Sequence, residues 1–144
     1  MNDIIDRINE LFIATDEKSW TRVSACFTPL VHFDMSSLTG QPASTISSDE
    51  IVAGWDAGLA PFEAVHHQVG NYRVDTVDEN EATAFCYGLA YHYRRTQTGR
   101  NTRLFVGSYD FHLVRANDAW LIDRFTFNLK FIDGNLSLES EPRG

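Results

Sequence analysis

Two histidines and one aspartate stand out as the side chains suited to moving a proton: His67, His92 and Asp16. Imidazole titrates near neutral pH, so it can take a proton and return it, provided something orients the ring. A carboxylate beside one ring nitrogen fixes the tautomer and stabilises the charged ring, and Asp16 could supply it. His66 and His67 are adjacent in a β-type segment, where neighbours point to opposite faces. Only one of them can face an interior, and His66 is expected to face away. His92 closes a row of small residues, Ala82, Ala84, Cys86, Gly88 and Ala90, which alternates with Thr83, Phe85, Tyr87, Leu89, Tyr91 and Tyr93. A face of small residues leaves room above it, and a histidine at its end projects into that room.

Other chemistries find less support. Ser108 lies in Gly-Ser-Tyr, without the Gly-x-Ser-x-Gly elbow of a serine nucleophile. Cys26 and Cys86 form no C-x-x-C pair and read as small buried apolar residues. The five histidines, with Asp34 and Glu63, show no metal-ligand spacing, so no metal is expected; His32 and His112 are expected in the core or on the surface. Twelve Lys and Arg against 20 Asp and Glu, with no basic block, argue against nucleic acid. No apolar run is long enough to span a membrane. Asp3, Asp6 and Glu10 break any signal-peptide pattern, which makes the cytoplasm the expected location.

These candidates must be positioned by elements legible as hydrophobic periods. Ile4, Ile5, Ile8, Leu11 and Phe12 predict an amphipathic helix over 2–14, and Trp20, Val23 and Phe27 a second over 19–27. Asp16 falls at the bend between them. Residues 30–35 read as a short strand and the segment after it as a polar loop. Ser47 and Glu50 form a capping box that opens a third helix, closed near Pro61. Segments 65–76, 81–95, 102–115 and 120–132 are β-type, separated by Asp78-Glu79-Asn80, Thr98-Gly99-Arg100-Asn101 and Ala116-Asn117-Asp118. Short breaks imply an antiparallel meander. Gly70 and Gly88 should mark bulges or bends. The Phe125, Phe127, Leu129 and Phe131 stripe reads as core, and Trp20, Trp55 and Trp120 as packing residues, with Trp55 also able to roof a pocket. Helices first and a long sheet afterwards make an α+β domain over 1–132, with 133–144 a loose polar tail. The outward Phe85, Tyr87, Tyr91 and Tyr93 form an apolar patch that predicts a homodimer through the sheet.

Several segments together carry a resemblance. Asp16-Glu17-Lys18-Ser19-Trp20, His67-Gln68-Val69-Gly70-Asn71, Ala90-Tyr91-His92-Tyr93-Arg94 and Asp118-Ala119-Trp120-Leu121-Ile122 resemble motifs of the scytalone dehydratase and SnoaL-like branch of the NTF2-like proteins, a likeness that runs from Ile4 to Phe131. It implies a cone-shaped barrel, three N-terminal helices packed on a highly curved antiparallel sheet. It also implies a pocket in which His67 is the acid/base, His92 the second histidine, and Asp16 the carboxylate bonded to it. The lining would include Met35, Leu38, Trp55, Ala90, Tyr109 and Phe125. The family's two tyrosines fall at Thr15 and Met35 here, and its carbonyl-contacting asparagine near Tyr109. The implied function is a cofactor-independent lyase or isomerase acting on a hydrophobic hydroxylated or ketonic ring compound. Dehydratases, ketosteroid isomerases and polyketide cyclases share that chemistry. The alternative is a non-catalytic binding or structural module, for example one like an oxygenase small subunit.

Overall fold

The computed structural model describes residues 2–144, which form one mixed sheet wrapped around a short helical layer. Helix α1 (Asn2–Asp16) buries Ile4, Ile8, Leu11 and Phe12, the apolar stripe expected from their spacing. Each such side chain contributes roughly 1.5–3 kcal/mol by leaving water. Helix α2 (Trp20–Ser24) is shorter than its pattern suggested. Phe27 turns away from it, because it already belongs to strand β1 (Phe27–Asp34) and packs on Trp55 and Phe125. The expected polar loop holds helix α3 (Ser36–Thr39) and strand β2 (Ser44–Ser47). Helix α4 (Ser48–Leu59) opens on the Ser47–Glu50 capping box, with Ser47 Oγ accepting the Glu50 N–H at 3.1 Å.

Strands β3 (Ala64–Asp78), β4 (Glu81–Tyr93), β5 (Thr102–Ala116) and β6 (Ala119–Gly134) make the predicted antiparallel meander. The complete order is β2-β1-β6-β5-β4-β3. Strand β1 lies parallel to β6, so the sheet is mixed rather than wholly antiparallel. Register shifts bend it, since a bulge adds one residue to one strand and sharpens the local twist. One lies between Gly70 and Arg73, where Asn71 takes the positive φ of 56°; others fall at Val106/Gly107 and His112/Leu113. The concave face of the curled sheet receives α1 and α4.

Gly88 is no bulge. It sits in regular pairing with Val69 and Gly107, and a Cβ there would overlap the Tyr109 ring. The small-residue row of β4 is therefore a floor for the aromatic side chains of β5. Phe125 and Phe127 are core residues, whereas Phe131 faces outward at 52% exposure because the bulge opposite Val106 and Gly107 moves it off that face.

The C-terminal segment is polar in composition, yet it is docked and not loose. Leu138 is fully buried against Phe62 and Val65. Arg94 donates to the Leu138 carbonyl at 3.1 Å and to that of Glu141. Asn135 Nδ2 donates to the Arg100 carbonyl at 2.8 Å. No helix among the described residues is long and apolar enough to cross a membrane.

Candidate functional site

Helix α1 ends in a tight turn. Lys18 adopts a φ of 55°, and the Ser19 N–H donates to the Ala14 carbonyl at 2.9 Å. Lys18 Nζ then donates to the Phe62 carbonyl at 2.9 Å, which ties this turn to the start of β3. The side chain of Asp16 is thereby directed at His67. Its Oδ1 lies 2.6 Å from His67 Nδ1, and its Oδ2 accepts the His67 backbone N–H at 2.8 Å. Strand β3 is an edge strand, whose alternate N–H groups have no partner strand. Asp16 satisfies one of those groups and the imidazole with the same carboxylate. Phe12, one helical turn before Asp16, stacks on the imidazole at a centroid distance of 5.1 Å. His67 is thus held along one edge and one face, and its Nε2 has no protein partner among the described residues.

The His67 ring borders a cavity of about 300 Å³ between the helices and the concave sheet. The predicted lining residues Met35, Leu38, Trp55, Ala90, Tyr109 and Phe125 all border it, as do His67 and His92. Asp16 stands behind His67. It pairs with that ring and not with His92, a correction to the partner expected for it. Thr15 borders the cavity but spends its hydroxyl on the Leu11 carbonyl at 2.7 Å. Tyr109 packs between Phe12 and Phe127, at 4.8 and 5.0 Å. Burial pushes its phenol above the ordinary range, so it stays protonated. Its hydroxyl makes no hydrogen bond among the described residues.

His92 differs from His67 in every contact. Phe62 and Phe105 flank it at 4.6 and 5.1 Å, and Arg103 Nη2 lies 3.3 Å from its Nδ1. Burial, then the Arg103 charge and His67, lower its pKa to about 3, so it is neutral at physiological pH. Arg103 was not singled out in the sequence. It borders the cavity and is itself anchored by the C-terminal segment, through the Leu136 carbonyl at 3.1 Å and Glu139 at 2.6 Å. Sequence spacing carries no signal for it, because its neighbours come from a strand and a turn distant in the chain.

The remaining histidines serve elsewhere. His66 faces out and meets Gln68 at 3.2 Å. His32 and His112 border an open groove of about 580 Å³ on the convex sheet face, together with Arg73, Asp75, Asp123 and Arg124. There His112 bridges Asp123 at 2.6 Å and Glu81 at 2.8 Å. Burial works against its charged form, but the two carboxylates outweigh it and raise the pKa. Among the described residues, no group of three or more His, Cys, Asp or Glu side chains is placed to hold a metal ion. Cys86 is buried, which pushes its thiol up to about 12 and suits packing rather than nucleophilic attack.

Comparison with known proteins follows the same lines. A family model described as the SnoaL-like domain matches residues 1–126. The chain belongs to the SnoaL-like family. Among solved structures, this SnoaL-like chain is similar to Kfla4162 from Kribbella flavida, with 26% identity over 96% of this chain and 95% of that one, and a TM-score of 0.88. It shares the fold of a Novosphingobium aromaticivorans protein provisionally named a scytalone dehydratase, at 19% identity, 100% and 93% coverage and a TM-score of 0.81. A hexachlorocyclohexane dehydrochlorinase, LinA type 2, has the same fold at 14% identity, 99% and 93% coverage and a TM-score of 0.77. No curated protein gives a significant match in sequence. The family match stops before the C-terminal segment that anchors Arg103.

Proposed function

We propose that this SnoaL-like protein is a cofactor-independent lyase or isomerase that moves a proton on a hydrophobic hydroxylated or ketonic ring compound. The observation that carries the reading is the Asp16–His67 pair at the wall of a mostly apolar cavity. With Nδ1–H donating to Asp16, the neutral ring presents the Nε2 lone pair to the cavity, the arrangement a general base needs. His67 Nε2 takes a proton from a carbon next to a carbonyl, and the C–H electron pair moves into an enolate. Where the ring carries a β,γ double bond, the resulting dienolate takes the proton back at the γ carbon, which is isomerisation; where it carries a β-hydroxyl, the enolate expels it and it leaves with that proton as water, which is dehydration. The aromatic walls limit contact with water, and a bound ring compound that fills the cavity would strengthen each polar contact inside. Tyr109, protonated and unpartnered, is a donor available to the carbonyl oxygen. Two fold relatives carry names that describe eliminations, of water and of hydrogen chloride.

The test is exchange of solvent deuterium into cyclic ketones of one or two rings, such as β-tetralone, followed by NMR. Wild-type protein should accelerate exchange next to the carbonyl. His67→Ala should lose about 10²–10⁴-fold of that acceleration, the usual contribution of a positioned base. Equal exchange by the two proteins would refute the reading.

One observation favours a second reading, a non-catalytic binding module. Thr15 and Met35 offer the cavity no free donor, because the Thr15 hydroxyl is spent within α1 and a thioether has none. Tight binding of such ketones without exchange would support it.

The assembly proposed with this function is a homodimer through the convex sheet face. Leu89 is in register with Val106, and Val106 with Phe131, so these apolar side chains adjoin across three strands. Tyr87, Leu89, Tyr91 and Phe131 are 36–52% exposed, a patch that a second copy can cover in a self-complementary way. Light scattering at micromolar concentration should return twice the chain mass, and Leu89→Glu should return the chain mass. A monomeric wild type would overturn the proposal.

A further inference from the structure

We infer that His92, oriented by Arg103, is a dedicated hydrogen-bond donor that makes the cavity selective for ligands presenting a carbonyl or enolate oxygen opposite His67. This rests on the proton-transfer reading of the same cavity and assigns its missing half. A guanidinium has donors and no acceptor atoms, so the contact between Arg103 Nη2 and His92 Nδ1 has one polarity: Arg103 donates and Nδ1 accepts. In a neutral ring the proton is then on Nε2. That nitrogen meets no protein partner among the described residues, and the His92 ring borders the cavity. His67 is the reverse case. Its Nδ1 faces a carboxylate, and a neutral ring keeps its proton there, leaving Nε2 as an acceptor.

Two imidazoles bordering one cavity therefore present opposite polarity, because one is backed by an anion and the other by a cation. The groups that face His92 keep it in that state. Phe62 and Phe105 flank the ring, Arg103 approaches from β5 and His67 from β3. Glu139 is bonded to the far side of Arg103 and balances its charge without reaching His92. Arg103 is further constrained by lying over Phe62 at 5.3 Å and Phe105 at 5.2 Å. A neutral imidazole held as a donor suits an oxygen on which negative charge develops, since it stabilises the enolate without giving up a full proton. Arg103 is the positioning residue in this arrangement; His92 is the group that touches the ligand.

The spectroscopic test needs no substrate. In protein labelled with ¹⁵N-histidine, His92 should carry its proton on Nε2, leave Nδ1 unprotonated and remain untitrated from about pH 8 down to about pH 5, well above its depressed pKa. In Arg103→Gln the fixed Nε2–H tautomer should be lost and the titration of His92 should rise, with burial still holding it below the ordinary value. A wild-type His92 protonated on Nδ1, or titrating near its ordinary value, would overturn the inference even if the Arg103 variant fails to fold. The ligand test uses 4-nitrophenol, whose phenolate reports its own ionisation by colour. Wild type should bind it and shift it toward phenolate, and His92→Phe should bind about tenfold more weakly, the loss of one good hydrogen bond. Equal binding by His92→Phe would refute the donor role. His67→Ala should keep the His92 signature, so a protein that exchanges no deuterium can still confirm or refute this assignment.

Discussion

Asp16→Asn should cost about 10³–10⁴-fold in deuterium exchange while leaving the fold intact, an effect as large as removing the base itself. The reason lies in the double use of the carboxylate. Asp16 accepts two N–H groups at once, from the His67 backbone and from its Nδ1. Asparagine has one accepting oxygen. If that oxygen keeps the backbone N–H, its NH₂ group faces Nδ1, which must then accept, and the ring proton moves to Nε2. The lone pair that takes the substrate proton is gone, although every heavy atom is in place. Ligand affinity should change little, since Asp16 is screened from the cavity by His67. A variant that exchanges at the wild-type rate would show that Asp16 serves only to close the β3 edge.

The largest expected effect on stability is at the other end of the chain. Leu138→Ala should lower stability by about 2–5 kcal/mol, because a fully buried leucine is replaced by a cavity. That corresponds to a fall in melting temperature of roughly 5–15 °C for a domain of this size, measured by calorimetry. A chain end that merely lay on the surface would show almost no change. The loss also reaches the site. Leu138 packs on Phe62, and Phe62 borders His92 at 4.6 Å. The same turn supplies Glu139 to Arg103. In Leu138→Ala the His92 tautomer signature should therefore weaken before the protein unfolds, whereas the Asp16–His67 contact, built on α1 and β3, should persist.

How much of this was legible in the sequence depends on the range of the interaction. Period-two alternation sufficed for β4, where Ala82, Ala84, Cys86 and Ala90 are buried in the predicted row. The capping box needed only Ser47 and Glu50. Phe12 and Asp16 share a helical face, so their convergence on one ring was within reach of local spacing. The contact between Asp16 and His67 spans 51 positions; the resemblance brought both into one site but paired the carboxylate with the other histidine. The parallel pairing of β1 with β6 has no local signature, since a strand's residues do not name its neighbour. Arg103 was hidden for the same reason: its role is set by Phe62, His92 and Glu139, from three other segments. The tail misled through composition, as Leu138 and Asn135 are the buried minority in a polar stretch.

The most direct test of the central claim is a crystal structure of the protein with β-tetralone bound. The account predicts the ketone in the cavity between α4 and the concave sheet, with its acidic carbon about 3–3.5 Å from His67 Nε2, the separation of a reactive approach. Its oxygen should lie within hydrogen-bond reach of His92 or Tyr109. A ketone lodged in the convex groove beside His112, or one in the cavity with its acidic carbon turned away from His67, would contradict the account.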